Sequence, residues 1–271
     1  MTITTRDQLI NALGNSTDRQ VIDKASLANT VAGQVFSLWT TTGTPGAGVA
    51  PTTAAVCNSA LTGAFGFTNQ TSPATSYLGW MALQAGNSAT NIEVHDRLAH
   101  MGGLSGTVTT AQGALSLVTT APSAARIGDV NYDEVQWWLE VYVAMGATAV
   151  NATVAVTYDD NSTGNLAAIA LAATPRQGRM YPLISAVAGR YIKAVTSVTL
   201  SASTLTAGNF GITATRPRTS VSMPLLQKTE TYDWAQLGFP EIPNDACLML
   251  LMTCGTTTTG TIRGQSKIVH G

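Results

Sequence analysis

The stretch Val150-Asn-Ala-Thr-Val-Ala-Val-Thr-Tyr158 puts Val150, Ala152, Val154, Val156 and Tyr158 at even positions and Asn151, Thr153, Ala155 and Thr157 at odd ones. A strand sends successive side chains to opposite faces, so this segment has one apolar face and one small, mostly hydroxyl or amide face. The second face is the informative one. It carries Thr, Asn and Ala where a soluble protein that works alone would show Lys and Glu. A sheet with so little charge outside is expected to be covered by other protein.

The same reading extends in both directions. Val135 to Val143 places Val135, Trp137, Leu139, Val141 and Val143 on one face and Gln136, Trp138, Glu140 and Tyr142 on the other. Met145-Gly146 turns the chain into 150–158, and Asp159 to Asn165 turns it again into Leu166 to Ala173. Upstream, Tyr77 to Leu83 and Ile92 to Leu98 flank the turn-forming Gly86-Asn-Ser, and Leu115-Ser-Leu-Val-Thr is a shorter strand. Downstream come Ile192 to Leu200, Phe210 to Thr215, Cys247 to Met252 (apolar on both faces) and Thr261 to Val269. Short strands separated by Gly, Asn and Asp turns predict an all-β chain, a β-sandwich or jelly roll.

The first forty residues read differently. Thr5 to Leu13 has helical Ile/Leu spacing, started by Thr4 or Thr5 and ended at Gly14. Ser16-Thr-Asp-Arg offers a second cap, and Ala25 to Trp39 fits a helical or an extended piece. The expected organisation is a short helical or extended N-terminal arm over residues 1–40, a Gly/Pro/Thr-rich irregular segment over 41–76, and one all-β domain over 77–271.

Composition narrows the function classes. Charged residues are 11% of the 271, against roughly 25% in an average soluble protein. A net charge of −1 offers no clustered basic footprint for nucleic acid and little mutual repulsion between copies. No apolar run approaches the ~18–20 residues of a membrane helix, and the first residues lack the apolar core of a signal peptide. Synthesis in a cytoplasm is expected. Cys57, Cys247 and Cys254 show no metal-binding spacing, and an odd number cannot pair completely within one chain. They read as core fillers.

No motif points to catalysis, a metal or a cofactor. Glu93 and His95 share a strand face, with Asp96 opposite and His100 beyond, but no third ligand follows at recognisable spacing. The solvated face of a strand, with Arg97, explains the same residues. Asp159-x-Asn161-x-Thr163-Gly164 resembles the start of a calcium loop, but Ala170 stands where the bidentate Glu belongs, and a hairpin turn suffices. There is no Gly-x-Ser-x-Gly elbow and no phosphate-binding Gly loop, and the three histidines suggest no Ser-His-acid arrangement. The expected protein is not an enzyme and holds no cofactor.

Binding surfaces remain. Leu9, Ile10, Leu13, Val21 and Ile22 of the arm, with Trp138, Tyr142 and Trp234, are the candidate interface residues. Trp138 and Tyr142 either face outward, where they would stack on sugars or pack on a partner, or belong to a second buried face. Trp234 is a surface anchor or packs under a loop. Val94-His-Asp-Arg-Leu-Ala-His-Met-Gly-Gly-Leu104, Trp138-Leu-Glu-Val-Tyr142, Gly146 to Thr153, Val195 to Ser203, Thr206 to Thr213 and Asp245 to Leu250 resemble stretches of tailed-bacteriophage structural proteins, over residues 90–255. The resemblance implies a virion component made in the bacterial host cytoplasm, a capsid decoration or cement protein whose partners are the major capsid protein, other virion subunits and copies of itself, a trimer being compatible. It transfers no functional residue. A tail or baseplate component and a glycan- or receptor-binding β-sandwich are the rival expectations.

Overall fold

The computed structural model describes residues 3–28, 30–86, 90–129 and 131–271. Beyond Gly86, the expected Gly86-Asn-Ser turn lies outside them. The chain opens with helix α1 (Arg6–Asn15), then β1 (Arg19–Lys24), β2 (Val35–Ser37), β3 (Gly43–Thr44), β4 (Ala55–Val56), β5 (Ser76–Ala85) and β6 (Thr90–Leu104). It continues through β7 (Leu115–Ser116), the short helices α2 (Leu117–Thr120) and α3 (Ala124–Ile127), β8 (Gln136–Val143), β9 (Val150–Tyr158), β10 (Thr163–Asn165), β11 (Ile169–Leu171) and β12 (Arg179–Leu183). It ends with β13 (Ile192–Leu200), β14 (Asn209–Met223), β15 (Thr229–Asp233), β16 (Glu241–Ile242), β17 (Leu248–Thr253) and β18 (Ile262–His270).

These elements form two compact units. The first takes residues 1–48, 58–96 and 217–271, and the second takes 49–57 and 97–216. The expected boundaries at 40 and 76 therefore do not divide the chain. It passes between units inside β6, after Asp96, and inside β14, after Arg216. Each unit is a β-sandwich, as the alternating strands require.

In the first unit, one layer is β15, β5, β18, β1 and β3 in that order, with β16 also on β5. The other has β17 between β2 and the first part of β6, Leu251 facing Ser37 on one side and Glu93 on the other. Ile22, Leu78, Leu83 and Ile268 from one layer and Phe36, Val94, Leu250 and Met252 from the other form one core. β17 is buried along almost its whole length, matching its lack of a polar face.

The expected arm is part of this sandwich. Its helix begins on a capping box, in which the Gln8 amide donates to Thr5 Oγ1 and the Thr5 amide to Gln8 Oε1. Residues after it are extended, because β1 pairs with β18 from Arg19↔Lys267 to Lys24↔Ile262. Ile22, Phe36, Leu38 and Trp39 are all buried. A segment that contributes such side chains is core.

In the second unit, β10, β9, β13 and β7 form one layer, with β11 also on β9. The facing layer pairs β8 with β12 and with the first part of β14. Val154, Val156 and Val198 pack with Trp137, Leu139, Phe210 and Ile212 in one core. β14 lies so close to the end of β6 that a Cβ on Gly211 would sit 1.8 Å from the Met101 carbonyl oxygen.

The alternation of β9 sets the first prediction. Val154 is fully buried and Thr153 exposed. Val154→Ala is expected to cost about 1–3 kcal/mol in urea unfolding, whereas Thr153→Lys should stay within about 0.5 kcal/mol. Equal costs at the two positions would refute the register.

Candidate assembly surface

The outer face of the β9 layer is formed by Asn151, Thr153, Ala155 and Thr157, flanked by Thr163 and Asn165 of β10, Ala170 of β11, and Ser197 and Thr199 of β13. These side chains are exposed or half-buried and none is charged. They are short, so ordering them against a partner costs little side-chain entropy. Lys193 at the margin donates to the Asn161 amide oxygen.

One end of this unit adds apolar surface. The Tyr191 carbonyl accepts from the Asp159 amide at 2.9 Å, and Asp159 Oδ1 accepts from the Tyr191 amide at 3.1 Å, joining the 184–191 loop to the 159–162 turn. Arg190 pairs with Asp159 at 3.5 Å and Asp160 at 3.0 Å. The loop leaves Ile184 72%, Val187 46% and Tyr191 39% exposed. Beside them is a cleft of about 320 Å³ lined by Trp137, Trp138, Pro182 and Leu183. Asn161 takes a positive φ of 70° in the turn, so the calcium-like letters are accounted for by a tight hairpin.

The face of β8 and β14 turned away from this unit's apolar core is also buried, and it is ionic. Arg97 Nη2 lies 2.7 Å from Glu140 Oε2 and donates to the Tyr142 hydroxyl at 2.7 Å, and Arg97 Nε donates to His100 Nδ1 at 3.0 Å. Thr213 Oγ1 donates to Glu140 Oε2 at 2.5 Å. Burial by itself would lower the Arg97 pKa, but the Glu140 carboxylate reverses this and holds the guanidinium charged. Burial pushes the Tyr142 phenol well above its ordinary value. Arg126 closes the cluster from outside, donating to the Cys57 and Arg97 carbonyls at 2.6 and 2.9 Å.

This geometry corrects several expectations. His95 and Arg97 are fully buried, so Glu93, His95 and Arg97 are not a solvated strand face. His95 Nε2 bonds Glu93 Oε2 at 2.8 Å, and Asp96 receives Arg218 at 3.3 Å and the Cys247 amide at 2.8 Å. Trp138 and Tyr142 take the second, buried reading: Trp138 Nε1 donates to Thr215 Oγ1 at 2.9 Å, and neither offers a stacking platform. Trp234 is half-buried, edge-on to Phe239, which stacks on Tyr77 at 4.4 Å. Leu9 and Ile22 point inward and Leu13 is half-buried, leaving Ile10 and Val21 as the exposed arm candidates. All three cysteines are buried thiols.

A Ser-His-Asp chain that the sequence reading missed stands in the first unit. Ser76 Oγ lies 2.9 Å from His270 Nδ1, and His270 Nε2 lies 2.7 Å from Asp18 Oδ2, which also accepts from the Thr68 amide at 2.6 Å. Ser76 is 1% exposed, and the chain of hydrogen bonds clasps β18 to β5 and to the residue before β1. Its members are far apart in sequence, and no local motif announces them. Among the described residues no cluster of three or more His, Cys, Asp or Glu is placed to hold a metal ion. No helix among them is long and apolar enough to cross a membrane.

No protein-family model and no curated protein matches the chain. Among solved structures it is similar to that of the infectious bursal disease virus Gt strain, at 10% identity over 93% of this chain and 80% of that chain, with a TM-score of 0.19. The infectious bursal disease virus VP2 subviral particle gives 8% identity over 93% and 79%, with a TM-score of 0.16. Scores this low carry no argument for fold or role, which rest on the residues themselves.

Two predictions follow from the ionic groups. Glu140→Ala should cost about 3–5 kcal/mol by stranding the Arg97 charge, and Arg97→Leu/Glu140→Leu together should cost less than the sum of the single changes in urea unfolding. Additive losses would show that the pair is not coupled. For Asp18, burial alone would raise the pKa, but hydrogen bonds from Thr68 and His270 bring it below the ordinary 3.8. Its stabilisation is therefore present above that value and lost as pH falls through the folded pKa. Asp18→Asn should lose about 1–2 kcal/mol near neutrality and show a flatter acid limb in a pH series of urea midpoints.

Proposed function

We propose that this chain is a non-enzymatic structural component of a phage virion, specifically a capsid decoration or cement protein that binds neighbouring capsid subunits. The observation that carries the reading is the uncharged outer face of the β9 layer, Asn151, Thr153, Ala155 and Thr157, with its neighbours on β10, β11 and β13. Such a face adds little to solubility and nothing to catalysis, but it docks closely against another protein without desolvating charge. The exposed Ile184, Val187 and Tyr191 supply apolar anchors at one end of the same unit. The resemblance of residues 90–255 to tailed-phage structural proteins points the same way.

The partners are capsid subunits and further copies of this chain, in closed clusters such as trimers. The particle is the place of action, and the bacterial cytoplasm the place of synthesis. Docking is assigned to the second sandwich and not to residues 1–40, because removing those residues would open the core of the first sandwich.

The test is co-sedimentation of the purified chain with phage heads. Wild type should pellet with heads in a saturable manner. Thr153→Lys/Thr157→Lys, which keeps the fold, should lower occupancy about tenfold or more, since each unpaired buried charge costs more than the 1.4 kcal/mol of a tenfold change. A variant that pellets like wild type sinks the assigned face, and a wild-type chain that labels tails in electron micrographs sinks the decoration role.

A further inference from the structure

The opposite kind of surface occurs on the first sandwich. The outward residues of β5, β18 and β1 include Trp80 and Gln84, then Arg263, Gln265 and Lys267, then Arg19, Val21 and Asp23. Trp80 is half-exposed, unlike the buried Trp39, Trp137 and Trp138. It stands between two hollows of about 490 and 420 Å³ that share Trp80 and Gln265. Both volumes are in the range of small-ligand sites, about 300–1,000 Å³.

The polar groups around the indole are arranged for hydroxyls and a carboxylate. Arg263 Nε bonds Asp23 Oδ1 at 3.1 Å, and this exposed pair presents donors and an acceptor together at the wall of one hollow. Gln84 donates to the Gln227 carbonyl at 2.9 Å, which turns its amide but leaves its oxygen an acceptor. The Gln265 side-chain amide has no partner among the described residues. The other hollow is lined by Leu13, Arg19, Trp80, Gln265 and Lys267, two cations and no carboxylate. Lys267 is engaged with the Leu13 carbonyl at 2.6 Å, whereas Arg19 makes no ion pair among the described residues.

We infer that this face binds an acidic oligosaccharide, one sugar ring stacked on Trp80 and a carboxylate directed to Arg19. Sugar rings expose a C–H face that packs on an indole, and their hydroxyls need paired donors and acceptors such as Arg263–Asp23 and the two Gln amides. A guanidinium is the group suited to a carboxylate. A protein partner would meet here two hollows and a row of charges with Val21 as the exposed aliphatic residue, the reverse of the charge-free β9 face.

The experiment uses the full-length chain on an array of neutral and uronate- or sialate-containing oligosaccharides, followed by titration calorimetry. Carboxylated oligosaccharides should bind. Trp80→Ala should weaken them at least about tenfold, as loss of an aromatic stack implies. Trp80→Phe should recover part of the affinity, and Arg19→Gln should erase the preference for acidic over neutral ligands. Trp234→Ala serves as the control, and near-ultraviolet circular dichroism verifies each fold. No binding at millimolar ligand, or binding indifferent to Trp80→Ala, overturns the proposal. Equal binding of neutral ligands that Arg19→Gln does not change overturns the acidic assignment. Self-association abolished by Trp80→Ala would make the face a protein contact and overturn it as well.

Discussion

Three consecutive ionisable side chains, His95, Asp96 and Arg97, sit fully buried in the middle of β6, and buried charge is tolerated only when it is paired and hydrogen-bonded. That requirement shapes the strands around β6. Asp96 takes Arg218 and the Cys247 amide, which anchors the start of β17. Arg97 takes Glu140, Tyr142 and Thr213, which fixes the facing of β8 against β14. Apolar residues in these places would give a greasier core and a less specific one, because alternation alone allows strands to slip by two positions.

The strands were legible in the sequence wherever one face is wet. β9 shows the burial that its letters imply, position by position, and the helix cap at Thr5 is where its capping box puts it. What escaped reading is long-range. The pairing of β1 with β18 joins residues some 240 positions apart, and nothing local in Arg19 to Lys24 tells of it. Doubly buried strands also mislead: Glu93, His95 and Arg97 look like a solvated row, because a charge in a sequence does not say whether its counter-charge is water or another strand. Trp80 was legible in principle. Within 76–85 it shares the more polar face with Ala82 and Gln84, and only its neighbours on β1 and β18 make it a site.

The two sandwiches differ in the way they use charge. The outer face of the β9 layer has none; in the same unit Arg97 and Glu140 pair in a buried cluster, Arg190 meets two aspartates at the rim, and Arg216 meets Glu134. The first unit instead carries Arg19, Asp23, Arg263 and Lys267 on the outside of one sheet. A chain with 11% charged residues has few to place, and the contrast separates a surface suited to close protein packing from one suited to a hydrated, polar ligand.

The interruption of the first sandwich by the second also orders events during translation. Every residue of the second unit has been added once the chain reaches Arg216, so that unit is free to close while synthesis continues. The first cannot: β1, made among the earliest residues, waits for β18, and β5 lacks the same neighbour until then. Ribosomes would carry one finished sandwich and one open one, with the edge of β5 unpaired and prone to contact other nascent chains. The last nine strand residues thus decide whether the first sandwich closes or stays open to other nascent chains.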